Sequence, residues 1–144
     1  MHRRTFLFAL LASPLACKAK DGAPDKNSGR CSFCGMKIDP SSAWLTELVM
    51  ADGTKTTFDT PRCAMTAWRT RGIAAKSVRV QEFYERAWRD GSEVDFVIGS
   101  DVDGPMGADL VPVSPAKSTK FLVDHAGARA VKLEAITGQL LKAL

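Results

Sequence analysis

The chain has 144 residues, 45% of them hydrophobic and 25% charged, with a formal net charge of +4. This balance is typical of a globular protein and excludes a largely disordered chain. The length predicts one domain or two very small ones.

Residues 1–16 have the pattern of an export signal. Arg3 and Arg4 precede an apolar run that starts at Phe6 and gives way to small residues before Cys17. The run is well short of the roughly 20 residues that a transmembrane helix requires, so no span is predicted. The two arginines followed by Thr-Phe-Leu resemble a twin-arginine export motif, and an ordinary secretory signal is the alternative.

Cys17 follows Pro-Leu-Ala, which resembles the cleavage box of a bacterial lipoprotein. We therefore predict that Cys17 is lipidated and becomes the first residue of the mature chain; cleavage nearby, with Cys17 left as a free thiol, is the alternative. Residues 17–30 contain glycine and proline and no apolar period, which predicts a flexible tether after the anchor. Loss of residues 1–16 removes two of the 20 basic residues and none of the 16 acidic ones, and the remaining net charge of +2 excludes a nucleic-acid footprint.

The hydrophobic pattern of residues 31–90 predicts a first half of the fold with the order strand, strand, helix, strand. The predicted elements are a strand over residues 44–50, a strand over residues 55–58, a helix from Pro61 to about Gly72 and a strand over residues 77–83. Residues 51–54, Ala-Asp-Gly-Thr, are a hairpin-turn signal between the first two strands. Thr60 is a candidate N-cap, and Pro61 suits the first position of the helix.

Residues 91–144 predict a second half with the same order. Its predicted elements are a strand over residues 93–100, a strand over residues 108–113, a helix from Pro115 to about Gly127 and a strand over residues 130–134. Pro112 places the second of these strands at a sheet edge. We therefore predict an α+β fold of two small packed ββαβ halves, which repeat each other in pattern but not in sequence.

Residues 31–36, Cys-Ser-Phe-Cys-Gly-Met, are the most distinctive chemical motif. A c-type haem is excluded because it requires a histidine where Gly35 stands. Structural zinc usually needs four ligands, and there is no second CxxC pair. A thioredoxin-like dithiol is disfavoured because Gly35 and Pro40 interrupt a helix after the motif. A disulfide between Cys31 and Cys34 would close a very small loop and stays open as a resting state.

Met36 favours a softer metal, because thiolate and thioether ligands together select Cu(I). Met106 lies in a glycine-containing loop without an apolar period, and it is either an incidental loop residue or a second thioether ligand. Met50 and Met65 fall on predicted elements and are assigned to the core. Cys63 lies on the first predicted helix beside apolar positions; we favour a buried structural cysteine, with a metal ligand as the alternative.

His125 lies near the end of the second predicted helix, where a partly exposed histidine is common. A nitrogen ligand is the alternative role. It is the only histidine once residues 1–16 are removed, and no serine or carboxylate pair stands in a recognisable catalytic arrangement. We therefore do not expect an enzyme.

Several stretches together resemble the NosL family, the copper-binding accessory lipoproteins of nitrous-oxide reductase maturation. They are the signal with its cysteine, CSFCGM (31–36), FDTPRCAM (58–65), MGADLVPV (106–113) and FLVDHAGARAV (121–131). The resemblance covers most of the mature chain in order. It implies two ββαβ halves with a topology like that of organomercurial lyase.

The resemblance also implies a site and a function. It makes Cu(I) the bound ion, with Cys34, Met36 and Met106 as the foremost ligand candidates, Cys31 next and His125 possible; Cys63 stays a further candidate from its place on the helix. It implies a periplasm-facing, membrane-anchored Cu(I) metallochaperone that serves nitrous-oxide reductase through an ABC-type assembly complex. The alternatives are a thiol-disulfide redox lipoprotein acting through Cys31 and Cys34, and a structural or sensor lipoprotein.

Overall fold

The computed structural model describes residues 29–144, so the predicted signal, the predicted lipidation site Cys17 and nearly all of the predicted tether lie outside the described residues. No helix in the described part of the chain is long and apolar enough to cross a membrane.

The first sheet has four antiparallel strands in the order β2-β1-β3-β4. Its elements in chain order are β1 (Thr46–Met50), β2 (Lys55–Phe58), helix α1 (Pro61–Thr70), β3 (Ala75–Gln81) and β4 (Trp88–Asp90). Helix α1 begins as predicted, because the Thr60 side chain accepts a hydrogen bond from the Cys63 backbone N–H at 3.2 Å and Pro61 occupies the first turn.

The second sheet has three antiparallel strands in the order β8-β5-β9, and a two-stranded hairpin stands beside it. The elements are β5 (Asp95–Ile98), the hairpin strands β6 (Asp103–Gly104) and β7 (Gly107–Ala108), β8 (Val111–Val113), helix α2 (Pro115–Asp124), β9 (Arg129–Val131) and helix α3 (Gly138–Lys142). Strand β8, which contains Pro112, lies at an edge of its sheet as predicted.

Several predicted boundaries were wrong, and one strand, one hairpin and one helix were missed. The strand predicted over residues 108–113 begins only at Val111, because the buried Asp109 carboxylate accepts the backbone N–H of Leu110 at 2.8 Å and interrupts the extended pairing. The strand predicted over residues 130–134 ends at Val131 and gives way to a 3₁₀ turn. Strand β4, the β6–β7 hairpin and helix α3 are each short and lack a sustained apolar period.

The main core lies between the first sheet, α1 and one face of the second sheet. Leu48, Met65 and Phe96 are fully buried members of it. A smaller cluster on the opposite face of the second sheet joins Val97 to Phe121 of α2. Because neighbouring residues of β5 point into different clusters, the second sheet is covered on both faces.

Direct hydrogen bonds also join the two sheets. The fully buried Glu82 carboxylate accepts the backbone N–H of Ser114 at 3.1 Å and that of Glu85 at 2.7 Å. The Phe83 backbone N–H donates to the Pro112 carbonyl at 2.8 Å. The α+β class is thus confirmed, whereas the division at residues 90 and 91, the pseudo-repeat and the relation to organomercurial lyase stay predictions.

Candidate metal centre

Residues 29–38 form a tight loop that turns the cysteine motif back on itself. The Cys31 backbone N–H donates to the Met36 carbonyl at 2.8 Å, and the Gly35 N–H donates to the Cys31 carbonyl at 2.9 Å. Gly35 has a φ of +76°, a left-handed conformation that glycine adopts without steric cost. No helix begins directly after Cys34, whereas a thioredoxin-like dithiol lies at the start of a helix.

Three thiols meet where this loop contacts the first turn of α1. The Sγ atoms of Cys31, Cys34 and Cys63 all lie within 4.8 Å of one another, and none is in a disulfide. Cys31 and Cys63 are 3% and 6% exposed, and Cys34 is half-buried. Cys63 is therefore buried as predicted, but its sulfur belongs to a cluster rather than to inert core.

The cluster stabilises one negative sulfur. The pKa of the Cys31 thiol is lowered well below its ordinary value, first because the Cys63 thiol donates a hydrogen bond to it. Backbone N–H groups of Asp59, Cys34 and Phe33 lower it further. The same hydrogen bond raises the pKa of Cys63, the donor, and burial is the main cause that raises the pKa of Cys34. Since a thiolate is the metal-binding form of cysteine, Cys31 is prepared to act as a ligand.

A buried carboxylate adds negative charge beside Cys31. Asp59 is 4% exposed, and its Oδ2 atom has no hydrogen-bond partner within residues 29–144. Burial and the negative Cys31 sulfur raise the pKa of Asp59. A thiolate next to a buried carboxylate is unfavourable without a compensating cation, so this environment fits a metal ion held by the three thiols.

An open pocket of about 310 Å³ gives access to the cluster. It is lined by Phe33, Cys34, Thr60, Arg62, Cys63, Thr66, Met106, Asp109 and Leu141. Met106, from the turn of the β6–β7 hairpin, is 54% exposed and shares the pocket with two of the thiols. Met36 is 40% exposed and does not line the pocket, although its carbonyl closes the Cys31 loop.

Asp109 and Arg62 hold the Met106 hairpin against α1. One Asp109 carboxylate oxygen accepts the backbone N–H of Arg62 at 2.8 Å, and the Arg62 guanidinium donates to the Ala108 carbonyl at 3.0 Å. The Thr60 hydroxyl also hydrogen-bonds to Asp109, while it accepts the Cys63 N–H. The segments that carry Cys63 and Met106 therefore share one buried polar network.

His125 lies in a different part of the molecule. Its Nδ1 atom is 3.1 Å from an Asp101 carboxylate oxygen, and its ring centroid is 4.4 Å from that of Phe121. It caps the end of α2, which packs on the face of the second sheet turned away from the main core. The structure does not bring this candidate ligand to the thiols.

Comparisons with known proteins place the chain in a family. The family model described as NosL matches residues 25–141. The chain is also similar to the crystal structure of the copper chaperone NosL from Shewanella denitrificans, with a TM-score of 0.67 and 21% identity over 82% of this chain and 96% of that chain. At this identity the likeness shows a shared fold. The search of curated proteins gave no match. Because the family model spans most of its length, the chain belongs to the NosL family.

Proposed function

We propose that this protein is a Cu(I) metallochaperone that holds the ion with the thiolates of Cys31, Cys34 and Cys63 and with the thioether of Met106. The observation that carries the proposal is the convergence of three sulfur atoms within 4.8 Å of one another. Membership of the NosL family and the fold shared with a copper chaperone support it.

The ligand types favour Cu(I) over the metals that compete for thiolates. Zinc in structural sites takes four strong ligands in a closed tetrahedron. Here the described residues bring only three thiols together, and the next sulfur, in the pocket, is the thioether of Met106. Such a soft, sulfur-only set suits a d¹⁰ ion that accepts low coordination.

The half-open geometry suits transfer rather than storage. Cys34, Cys63 and Met106 line the pocket, and Cys63 is the most buried of the three; Cys31 is 3% exposed and does not line the pocket. An incoming ligand can replace Met106 first and Cys34 next, while Cys31 and Cys63 retain the ion. Met36, exposed on the same loop, is proposed as a ligand that the ion meets during entry and exit rather than at rest.

The biological setting is part of the proposal. The chain is exported, anchored on the periplasmic side through lipidated Cys17, and supplies copper to nitrous-oxide reductase by way of an ABC-type assembly complex. The export signal and lipoprotein box in residues 1–17 and the NosL family support this setting. In this role the protein carries copper and catalyses no reaction.

The geometry disfavours the thiol-disulfide alternative. An exchange enzyme presents an accessible thiol of low pKa to its substrate. In this chain the thiol with the lowered pKa is Cys31, which is 3% exposed. The accessible Cys34 has a raised pKa, so the two properties fall on different residues.

Anaerobic Cu(I) competition titrations on the reduced protein test the proposal. We expect Cys63→Ser to weaken Cu(I) binding by more than the roughly 10-fold to 100-fold that loss of an outer-shell partner costs. Met106→Leu should weaken it less, because a thioether is a weaker ligand than a thiolate. Met36→Leu should leave the equilibrium affinity unchanged and slow copper exchange.

Met50→Leu is the matched control, since Met50 lies on β1 and packs against the core. It should bind Cu(I) as tightly as the unmodified chain. Equal affinities for the unmodified chain and Cys63→Ser would refute the proposed ligand set.

A further inference from the structure

The mouth of the thiol pocket is surrounded by positive side chains. Arg62 lines the pocket itself. The Arg71 guanidinium lies 4.2 Å above the ring of Phe33, another lining residue. These two contacts place positive charge at the pocket that Cys34 lines.

Two further cations flank the cysteine loop. The Arg30 guanidinium donates to the Gly35 carbonyl at 2.9 Å, and Lys37 directly follows Met36 in the chain. Both side chains belong to exposed residues. We call the four cations the basic rim: Arg30, Lys37, Arg62 and Arg71.

No residue of the rim forms an ion pair within the described part of the protein. Asp59 and Asp109, the acids near the pocket, are each 4% exposed. The exposed Asp39 interacts with the charge of Lys37, and its carboxylate also accepts hydrogen bonds from the hydroxyl and the backbone N–H of Ser41. The four cations of the rim thus outnumber this one exposed acid. The rim therefore presents a net positive field to solvent.

Two exposed methionines accompany the rim. Met106 lines the pocket and is 54% exposed, and Met36, which is 40% exposed, directly precedes Lys37 in the cysteine loop. Protein interfaces commonly combine an apolar centre with a polar edge. Met106 supplies an exposed apolar group at the same pocket that Arg62 lines.

From this surface we infer that the protein docks, through the basic rim, on an acidic protein face that surrounds the copper-exchanging ligands of its partner. The inference rests on the proposed copper transfer and adds the chemistry of the partner. A rim of one sign steers an oppositely charged partner towards the pocket and repels a basic one. A lipid surface is disfavoured as the occupant, because it would cover the pocket without supplying sulfur or nitrogen ligands.

Two synthetic peptides test the inference with the full chain. Both carry the same Cu(I)-binding sequence with two cysteines; one is flanked by glutamates and the other by lysines. Fluorescence anisotropy measures their binding to the copper-free protein, and absorbance measures the rate of Cu(I) transfer from the loaded protein. We expect the acidic peptide to bind more tightly and to receive Cu(I) about 10-fold faster or more at low salt. The difference should disappear at about 1 M salt, where the Debye length is roughly 3 Å.

Charge-reversal variants show which surface causes the preference for the acidic peptide. Lys37→Glu with Arg71→Glu should abolish or invert the preference for the acidic peptide, and neither residue is a proposed copper ligand. Lys117→Glu with Lys120→Glu on α2 makes the same total change of charge on another surface and should preserve the preference.

Other outcomes would overturn the inference. Equal binding of both peptides, or an equal loss in the two double variants, would do so. Stronger binding to phosphatidylserine vesicles than to phosphatidylcholine vesicles that is lost only in the rim variant would identify lipid as the ligand. A different outcome would separate the two proposals. If the copper-free protein binds the acidic peptide selectively but the wild-type protein does not bind Cu(I), the docking inference holds and the proposed function is wrong.

Discussion

Cys63 combines a structural and a chemical role in one residue. Its backbone N–H is held by Thr60 at the start of α1, and its sulfur lies within 4.8 Å of the other two thiols. The apolar pattern of the helix correctly indicated burial but could not indicate the direction of the sulfur, since that depends on how the Cys31 loop packs against α1. Burial and metal binding are therefore compatible in Cys63, because its buried sulfur lies in the three-thiol cluster.

The buried Asp109 carboxyl should make the free energy of unfolding depend on pH. Burial raises its pKa to about 6 from the ordinary value of 3.8, so the folded state binds this proton more tightly than the unfolded chain does. The associated stability is fully present below about pH 4 and is lost as the pH rises through about 6. The loss is on the order of 3 kcal/mol, from roughly two pKa units at 1.36 kcal/mol each.

Asp109→Asn removes this titration and keeps an oxygen that can accept the Arg62 and Leu110 N–H groups. Urea unfolding of the metal-free protein at about pH 4 and about pH 7.5 should therefore show the variant gaining stability relative to the wild type as the pH rises. A difference between the two proteins that is the same at both pH values would show that Asp109 does not carry the pH dependence.

At the scale of elements, the cysteine loop and the β6–β7 hairpin are short segments with little regular structure of their own. The loop is closed by the Cys31–Met36 and Gly35–Cys31 backbone hydrogen bonds, and the hairpin is fastened to α1 through Asp109. Their geometry thus depends on local turns and on single buried polar contacts. This explains why sequence periodicity predicted α1 and α2 but missed the hairpin.

Gly35→Ala should weaken copper binding through the loop. A side chain at a φ of +76° costs about 1–2 kcal/mol, although the space beside Gly35 is open. If the loop relaxes out of its binding conformation, Cu(I) affinity should fall by up to about 5-fold to 30-fold.

Gly53→Ala is the matched control, because Gly53 has a φ of +81°, is equally open and lies in the β1–β2 turn. It should lower the urea midpoint by a similar amount and leave Cu(I) affinity unchanged. Comparable losses of affinity in the two variants would mean that general destabilisation, and not the loop, is responsible.

At the scale of the whole molecule, the candidate centre lies where the cysteine loop and α1 meet the β6–β7 hairpin. Cys31, Cys34 and Cys63 come from the first half of the chain, and Met106 and Asp109 come from the second. At another place the Glu82–Ser114 hydrogen bond also joins the two sheets.

The sequence predicted the parts of this centre better than their assembly. The cysteine motif, the loop position of Met106 and the cap of α1 follow from local patterns. The place of His125 on the far face of the second sheet and the exclusion of Met36 from the pocket depend on packing between segments distant in the chain. No local pattern encodes such relations, so these candidates could be separated only in three dimensions.

In the proposed centre, one Cu(I) ion is bound by sulfur alone, with Cys63 among its ligands. X-ray absorption at the copper K-edge of the Cu(I)-loaded protein, compared with that of Cys63→Ser, tests this ligand set. We expect a Cu(I) edge and a shell made only of sulfur, with one sulfur fewer or an oxygen in its place in the variant. A nitrogen or oxygen neighbour in the unmodified protein, or identical spectra for the two proteins, would contradict it.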